Sequence, residues 1–139
     1  MEMIENERRR TMQASRKKLI ATADKLWSLL VRYSFNHRCV LCGKHGTDAH
    51  HWRFGRSFLK YRWEINNGVC LCRAHHSQIE VSKTTKARLL TVMQTRFPAN
   101  YAVMMKATQT SEPVKDSDIA HKINNITLCC ELLGLKIKF

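Results

Sequence analysis

Residues 39–76 read CVLCGKHGTDAHHWRFGRSFLKYRWEINNGVCLCRAHH and hold four of the six cysteines and five of the seven histidines of the chain. Cys39-x-x-Cys42 and Cys72-x-x-His75 form two ligand pairs about thirty residues apart. Four soft or borderline donors in two such pairs suit a tetrahedral structural zinc, because a two-residue gap lets both side chains of a pair reach one ion from a tight turn. The expected site is therefore Cys39, Cys42, Cys72 and His75. Cys70, two residues away, competes with Cys72, as both cannot easily serve, and His45 competes from within the knuckle. His75 and His76 are about 100° apart on a helix, so one can face zinc while the other faces elsewhere. The gap from Cys72 favours His75 for zinc.

Working outward, the spacing predicts a knuckle at 39–43, a strand near 47–52, a basic loop at 53–62, a strand near 68–71 and a helix at 73–81. Upstream, residues 2–34 lack Gly and Pro and repeat apolar residues at helical spacing: Leu19, Ile20, Ala23, Leu26, Trp27, Leu30 and Tyr33. Downstream, helices are expected at 83–97 and 99–109, with Pro98 between them. Thr110 to Asp116, with Pro113, reads as a linker. A final helix at 117–133 has Ile119, Ile123, Ile126 and Leu133 as its apolar face and Gly134 as its stop. The expected organisation is a basic N-terminal helix at 1–36, a metal core at 37–82 and C-terminal helices at 83–139. The fold class is α+β, a small zinc-stabilised unit embedded in a mostly helical domain.

The 139 residues carry 24 Lys and Arg against 11 Asp and Glu, a formal net charge of +13. By segment the excess is +5 over 1–38, +3 over 39–82, +5 over 83–106 and zero over 107–139. Such a distribution suits a polyanion, most often nucleic acid. No apolar run approaches the roughly 20 residues a membrane span needs. The start, MEMIENERRR, has no apolar segment behind a basic one and does not read as a secretory signal. A cytoplasmic setting with reduced thiols is therefore expected, and a disulfide framework is the weaker reading of the cysteines.

Once zinc takes four ligands, His50, His51, Asn67 and His76 remain. Their pattern resembles the HNH endonucleases, whose ββα-metal finger presents a His, an Asn and a His around one divalent cation. Here His51, Asn67 and His76 stand at those positions, sixteen and nine residues apart, and the match covers about residues 39–80. The resemblance implies phosphodiester hydrolysis leaving 5′-phosphate and 3′-hydroxyl ends. His51 would be the base, since an imidazole with a pKa near 6.5 can take a proton from water at neutral pH. Asn67 would orient the strand or the ring. His50 and His76 would bind the catalytic cation, Mg²⁺, Mn²⁺ or Ni²⁺, and a His-rich set leans away from strict Mg²⁺ dependence. Glu80, one helical turn after His76, is a candidate third ligand. Asp48, two residues before His50, reads either as support for the cation site or as a turn residue. The chain is also similar to phage recombination nucleases of the Rap/NinG type, through Asp48-Ala49-x-His51, the short basic loop and Arg62-Trp63 before Asn67-Gly68. It differs from them in His50 and in its long N-terminal helix. That likeness implies branched DNA as substrate, in a bacterial host cytoplasm if the gene is a phage's.

Arg53, Arg56, Lys60 and Arg62, interleaved with Trp52, Phe54, Phe58, Tyr61 and Trp63, are the expected DNA contacts, with the aromatics packing the loop on the core. Arg8, Arg9, Arg10, Arg16, Lys17 and Lys18 are candidates for a second DNA segment, as are Lys83, Lys86 and Arg88 for a third cluster. His37 and His121 read as surface or packing residues, and Cys129 and Cys130 as small core residues. The neutral final helix is a candidate dimer face. The alternatives are a duplex-cutting or nicking HNH enzyme and a non-catalytic zinc-stabilised DNA-binding module.

Overall fold

A two-stranded antiparallel ladder carries the central motif. The computed structural model describes residues 2–108 and 112–137. The elements in order are α1 (Glu2–Ser34), β1 (Asp48–His51), α2 (Leu59–Arg62), a 3-10 turn (Ile65–Asn67), β2 (Gly68–Leu71), α3 (Arg73–Val81), α4 (Lys83–Arg96), α5 (Pro98–Lys106) and α6 (Asp116–Leu132). The fold is thus mixed α+β, mostly helical, with one small sheet. Among the described residues no helix is long and apolar enough to cross a membrane.

The chain divides into two units, Trp27–Glu112 and Met1–Leu26 with Pro113–Phe139, and α1 contributes to both. This division differs from the expected segments because α3 packs on α4 and α4 on α5, which joins α4 and α5 to the ladder, while α6 belongs to the other unit. In the Trp27–Glu112 unit, β1 and β2 pair Asp48 with Leu71, Ala49 with Cys70, His50 with Val69 and His51 with Gly68. Val69, Leu71 and the knuckle residues Cys39, Val40 and Leu41 share one core with Trp52, Phe54, Ile79, Leu89, Met93 and Met104. Gly68 is required where α1 crosses β2: a Cβ there would lie 2.4 Å from Val31 Cγ2 and 2.8 Å from Trp27 Cζ2. Glycine is likewise required at position 46, where a Cβ would lie 2.5 Å from Cys70 Sγ.

Helix starts follow local chemistry. Cys72 caps α3, its sulfur accepting from the His75 backbone N–H at 3.4 Å. Ser82 caps α4 through a 3.2 Å bond from Thr85 N–H. Pro98 opens α5, where its missing N–H costs nothing. Two short elements that periodicity does not reveal lie between β1 and β2: α2 in the basic loop and the 3-10 turn just after it.

In the other unit, Arg16 on α1 donates to Asp116 at 2.5 Å and to the Val114 carbonyl at 2.9 Å. The Lys115 N–H donates to Asp118 Oδ2 at 2.9 Å, and Asp116 and Asp118 complement the positive end of α6. Gly134 ends α6 at a φ of +71°. Ile119, Ile126 and Cys130 are buried, but Cys129 is exposed, about 100° round the helix from Cys130. Leu133, expected on the apolar face, lies just past the helix and is exposed. Of the expected linker, Thr110 and Ser111 fall outside the described residues.

Candidate metal centre

Two donor sets lie on successive residues of α3. The first is Cys39, Cys42, Cys72 and His75, whose ligand atoms all fall within 4.8 Å of one another. Cys42 Sγ is 3.9 Å from Cys72 Sγ, and His75 Nδ1 is 3.5 Å from Cys39 Sγ and 3.4 Å from Cys72 Sγ. Four ligands at ordinary zinc bond lengths on a tetrahedron are separated by about 3.8 Å between sulfurs and about 3.5 Å between sulfur and nitrogen. The chemistry and the spacing of the set therefore fit a closed structural zinc. Burial raises the Cys39 pKa, but the backbone N–H groups of Cys72, Leu41 and Cys42 and the Cys42 side chain outweigh it and bring the thiol down to about 6. A thiolate is the form that binds metal. Cys70 is not in the set: it is fully buried opposite Ala49, and burial pushes its thiol up to about 11. His45 is exposed, bridged to Arg38, and its ring lies parallel to that of His37 at 6.4 Å.

The second set is His50, His76 and Glu80, again within 4.8 Å. His50 projects from the same face of β1 as Asp48, and its ring meets that of His76 edge-on at 5.1 Å. His76 Nδ1 is 2.9 Å from Asp48 Oδ2. Burial first, then the charges of His76, His51 and Lys86, hold the His50 pKa down at about 4, so the ring is neutral at pH 7. Asp48 is pulled the other way by partial burial, but hydrogen bonds from His76 and Thr47 keep its carboxyl below the usual range. Two imidazoles and one exposed carboxylate leave coordination positions for water or substrate. This set fits a cation held in an open site.

His51 faces away from His50. Its ring stacks on Trp27 at 4.1 Å and 8°, and its Nε2 lies 2.8 Å from the Arg62 carbonyl. A carbonyl only accepts, so Nε2 carries the proton and the lone pair of the neutral ring is on Nδ1. Asn67 is completely buried, and its side chain spends its hydrogen-bonding capacity on the basic loop. Its Oδ1 accepts from the Arg53 and Phe54 N–H groups at 3.0 Å each, and its Nδ2 donates to the Phe54 carbonyl at 2.8 Å and the Tyr61 carbonyl at 3.1 Å. The residue thus closes the loop across its neck.

On that loop Arg53, Arg56 and Lys60 are exposed and Arg62 is half-buried. Arg53 lies over the Phe54 ring at 5.0 Å, Lys60 over Tyr61 at 5.7 Å and Arg62 over Trp63 at 5.7 Å. Arg62 Nη1 also donates to the Arg56 carbonyl at 3.1 Å. Trp52, Phe54 and Trp63 are buried, so these aromatics anchor the loop, as expected. Arg88, counted among the basic candidates, donates to the Leu41 carbonyl at 2.7 Å and braces the knuckle. Trp27 is the site residue that sequence reasoning placed only in a helix core. Nothing in the spacing links it to His51, twenty-four residues on.

No protein-family model, curated protein or solved structure matches this chain.

Proposed function

We propose that this chain is a metal-dependent DNA endonuclease of the HNH type. The observation that carries the reading is the pairing, on His75 and His76, of a closed Cys3His set with an open His50, His76 and Glu80 set. A module that only binds DNA needs the closed set alone.

The chain's own residues supply the remaining functions. His51, fixed by the Arg62 carbonyl and the face of Trp27, takes the proton of the attacking water at Nδ1. Asn67 keeps the loop neck closed and so holds Arg62, whose carbonyl orients that ring. Arg53, Arg56 and Lys60 grip the phosphates flanking the scissile one. A divalent cation bound by His50 and His76, with Glu80, would supply Lewis-acid stabilisation at the phosphoryl and leaving oxygens.

Cleavage of labelled four-way junction, flap, linear duplex and single strand with Mg²⁺, Mn²⁺ or Ni²⁺ tests the proposal. Cutting that is lost with chelator and in His51→Ala is expected. Junction-selective cutting would assign the enzyme to branched recombination intermediates, and equal cutting of plain duplex would make it a general HNH nuclease. Binding without cutting of any substrate would leave a non-catalytic zinc module.

A further inference from the structure

His76 in the open set has a carboxylate against its Nδ1. Asp48 Oδ2 lies 2.9 Å from His76 Nδ1, and Thr47 Oγ1 donates to Asp48 Oδ1 at 2.8 Å. The register places this carboxylate on the face of β1 that carries His50, so strand and helix converge on one point. Arg73, at 3.8 Å from Asp48 but largely exposed, adds little. An imidazole has one donor and one acceptor nitrogen when neutral. With Nδ1–H given to Asp48, the lone pair sits on Nε2. Without the carboxylate either tautomer is open to the ring, and it can rotate.

We infer that Asp48 is a positioning residue for the open site: it fixes the tautomer and direction of His76 so that Nε2 is presented beside His50 and Glu80. The inference rests on the proposed cation reading and adds a further residue to it. A carboxylate behind a ligating imidazole also raises its basicity. The site should accordingly prefer cations that accept nitrogen, such as Ni²⁺ and Mn²⁺, over Mg²⁺.

The test uses the full chain with zinc in its Cys3His set, as wild type, Asp48→Asn, Asp48→Ala and His76→Ala. Ni²⁺ binding is measured by calorimetry, and the His76 tautomer is read from its ring ¹⁵N shifts before Ni²⁺ is added. Retained zinc stoichiometry and an unchanged circular dichroism spectrum show that each variant is folded. Wild type should bind one Ni²⁺ with His76 as the Nδ1–H tautomer. Asp48→Ala should weaken Ni²⁺ by about 10–100-fold and move His76 towards the Nε2–H form. Asp48→Asn should weaken Ni²⁺ in the same direction. His76→Ala should weaken it at least as much as Asp48→Ala. Folded Asp48 variants that bind Ni²⁺ as tightly as wild type, with the tautomer unchanged, would overturn the positioning role while leaving the cation site standing. A zinc-loaded wild type that takes up no Ni²⁺ would overturn both.

Discussion

The contacts that hold His51 include two of different kinds. The Arg62 carbonyl sets its tautomer and Trp27 sets the plane of its ring. Replacing it by Ala removes the proposed base and no member of either donor set. We expect His51→Ala to lower the single-turnover cleavage rate by about 10²–10⁴-fold, with zinc content and DNA affinity retained. Full activity would remove His51 from the mechanism. His50 makes a separate statement about pH. Its folded pKa of about 4 lies below its ordinary 6.5, so the unfolded chain binds more protons between those values. That contribution to stability is intact above pH 6.5 and is lost as the pH falls towards about 4. Denaturant unfolding across this window should show the loss, and His50→Gln should flatten it.

At the scale of elements, the basic loop depends on one side chain. Asn67 makes four hydrogen bonds to loop backbone while fully buried, so Asn67→Ala strands several polar groups at once. Each stranded group costs about 1–3 kcal/mol, and a loss of at least about 2 kcal/mol is expected in denaturant titrations. Protease should then cut first within residues 53–61, and even cutting along the chain would argue against the clamp. Helix α3 depends instead on the closed set, because Cys72 is both its cap and a member of that donor set and His75 lies in its first turn. Zinc binding and folding are coupled in such units. Chelation, or Cys39→Ser, should unfold α3 and abolish Ni²⁺ uptake at His76 on the same helix. A zinc-free Cys39→Ser protein that stayed folded and active would refute the structural site.

For the molecule as a whole, the positive charge should set how the proposed DNA substrate is held. The excess of +13 lies entirely in residues 1–106. Phosphate neutralisation releases counterions, so affinity should fall steeply as salt rises. Each phosphate contact contributes about 0.9 to the slope of log K against log salt, so Arg53→Ala with Arg56→Ala should reduce it by about 2. Fluorescence anisotropy on one duplex at four salt concentrations measures this, and an unchanged slope would move the DNA path off the loop. Arg53 and Arg56 are exposed on the loop, whereas Arg62 is half-buried and donates to the Arg56 carbonyl.

Chain-local physics was legible in the residues. The two donor pairs announce themselves because a tight turn and a helix start can bring donors at a two-residue gap to one point, and the helices do so because apolar residues recur with the helical period. The closed set, both strands and the five longer helices follow from such rules. So does the meeting of His76 with Glu80, one turn apart. Tertiary structure decided what depends on distant segments meeting. Cys72 rather than Cys70 joins the donor set because β2 turns Cys70 into the core against Gly46. His51 finds Trp27 and the Arg62 carbonyl, and Asp48 finds His76, across intervals with no period. Asn67 closes a loop whose short helix has too few turns to show periodicity. Such contacts arise from the pairing of β1 with β2 and the packing of α1 and α3 around them. A linear pattern carries no distance between segments until that packing is made.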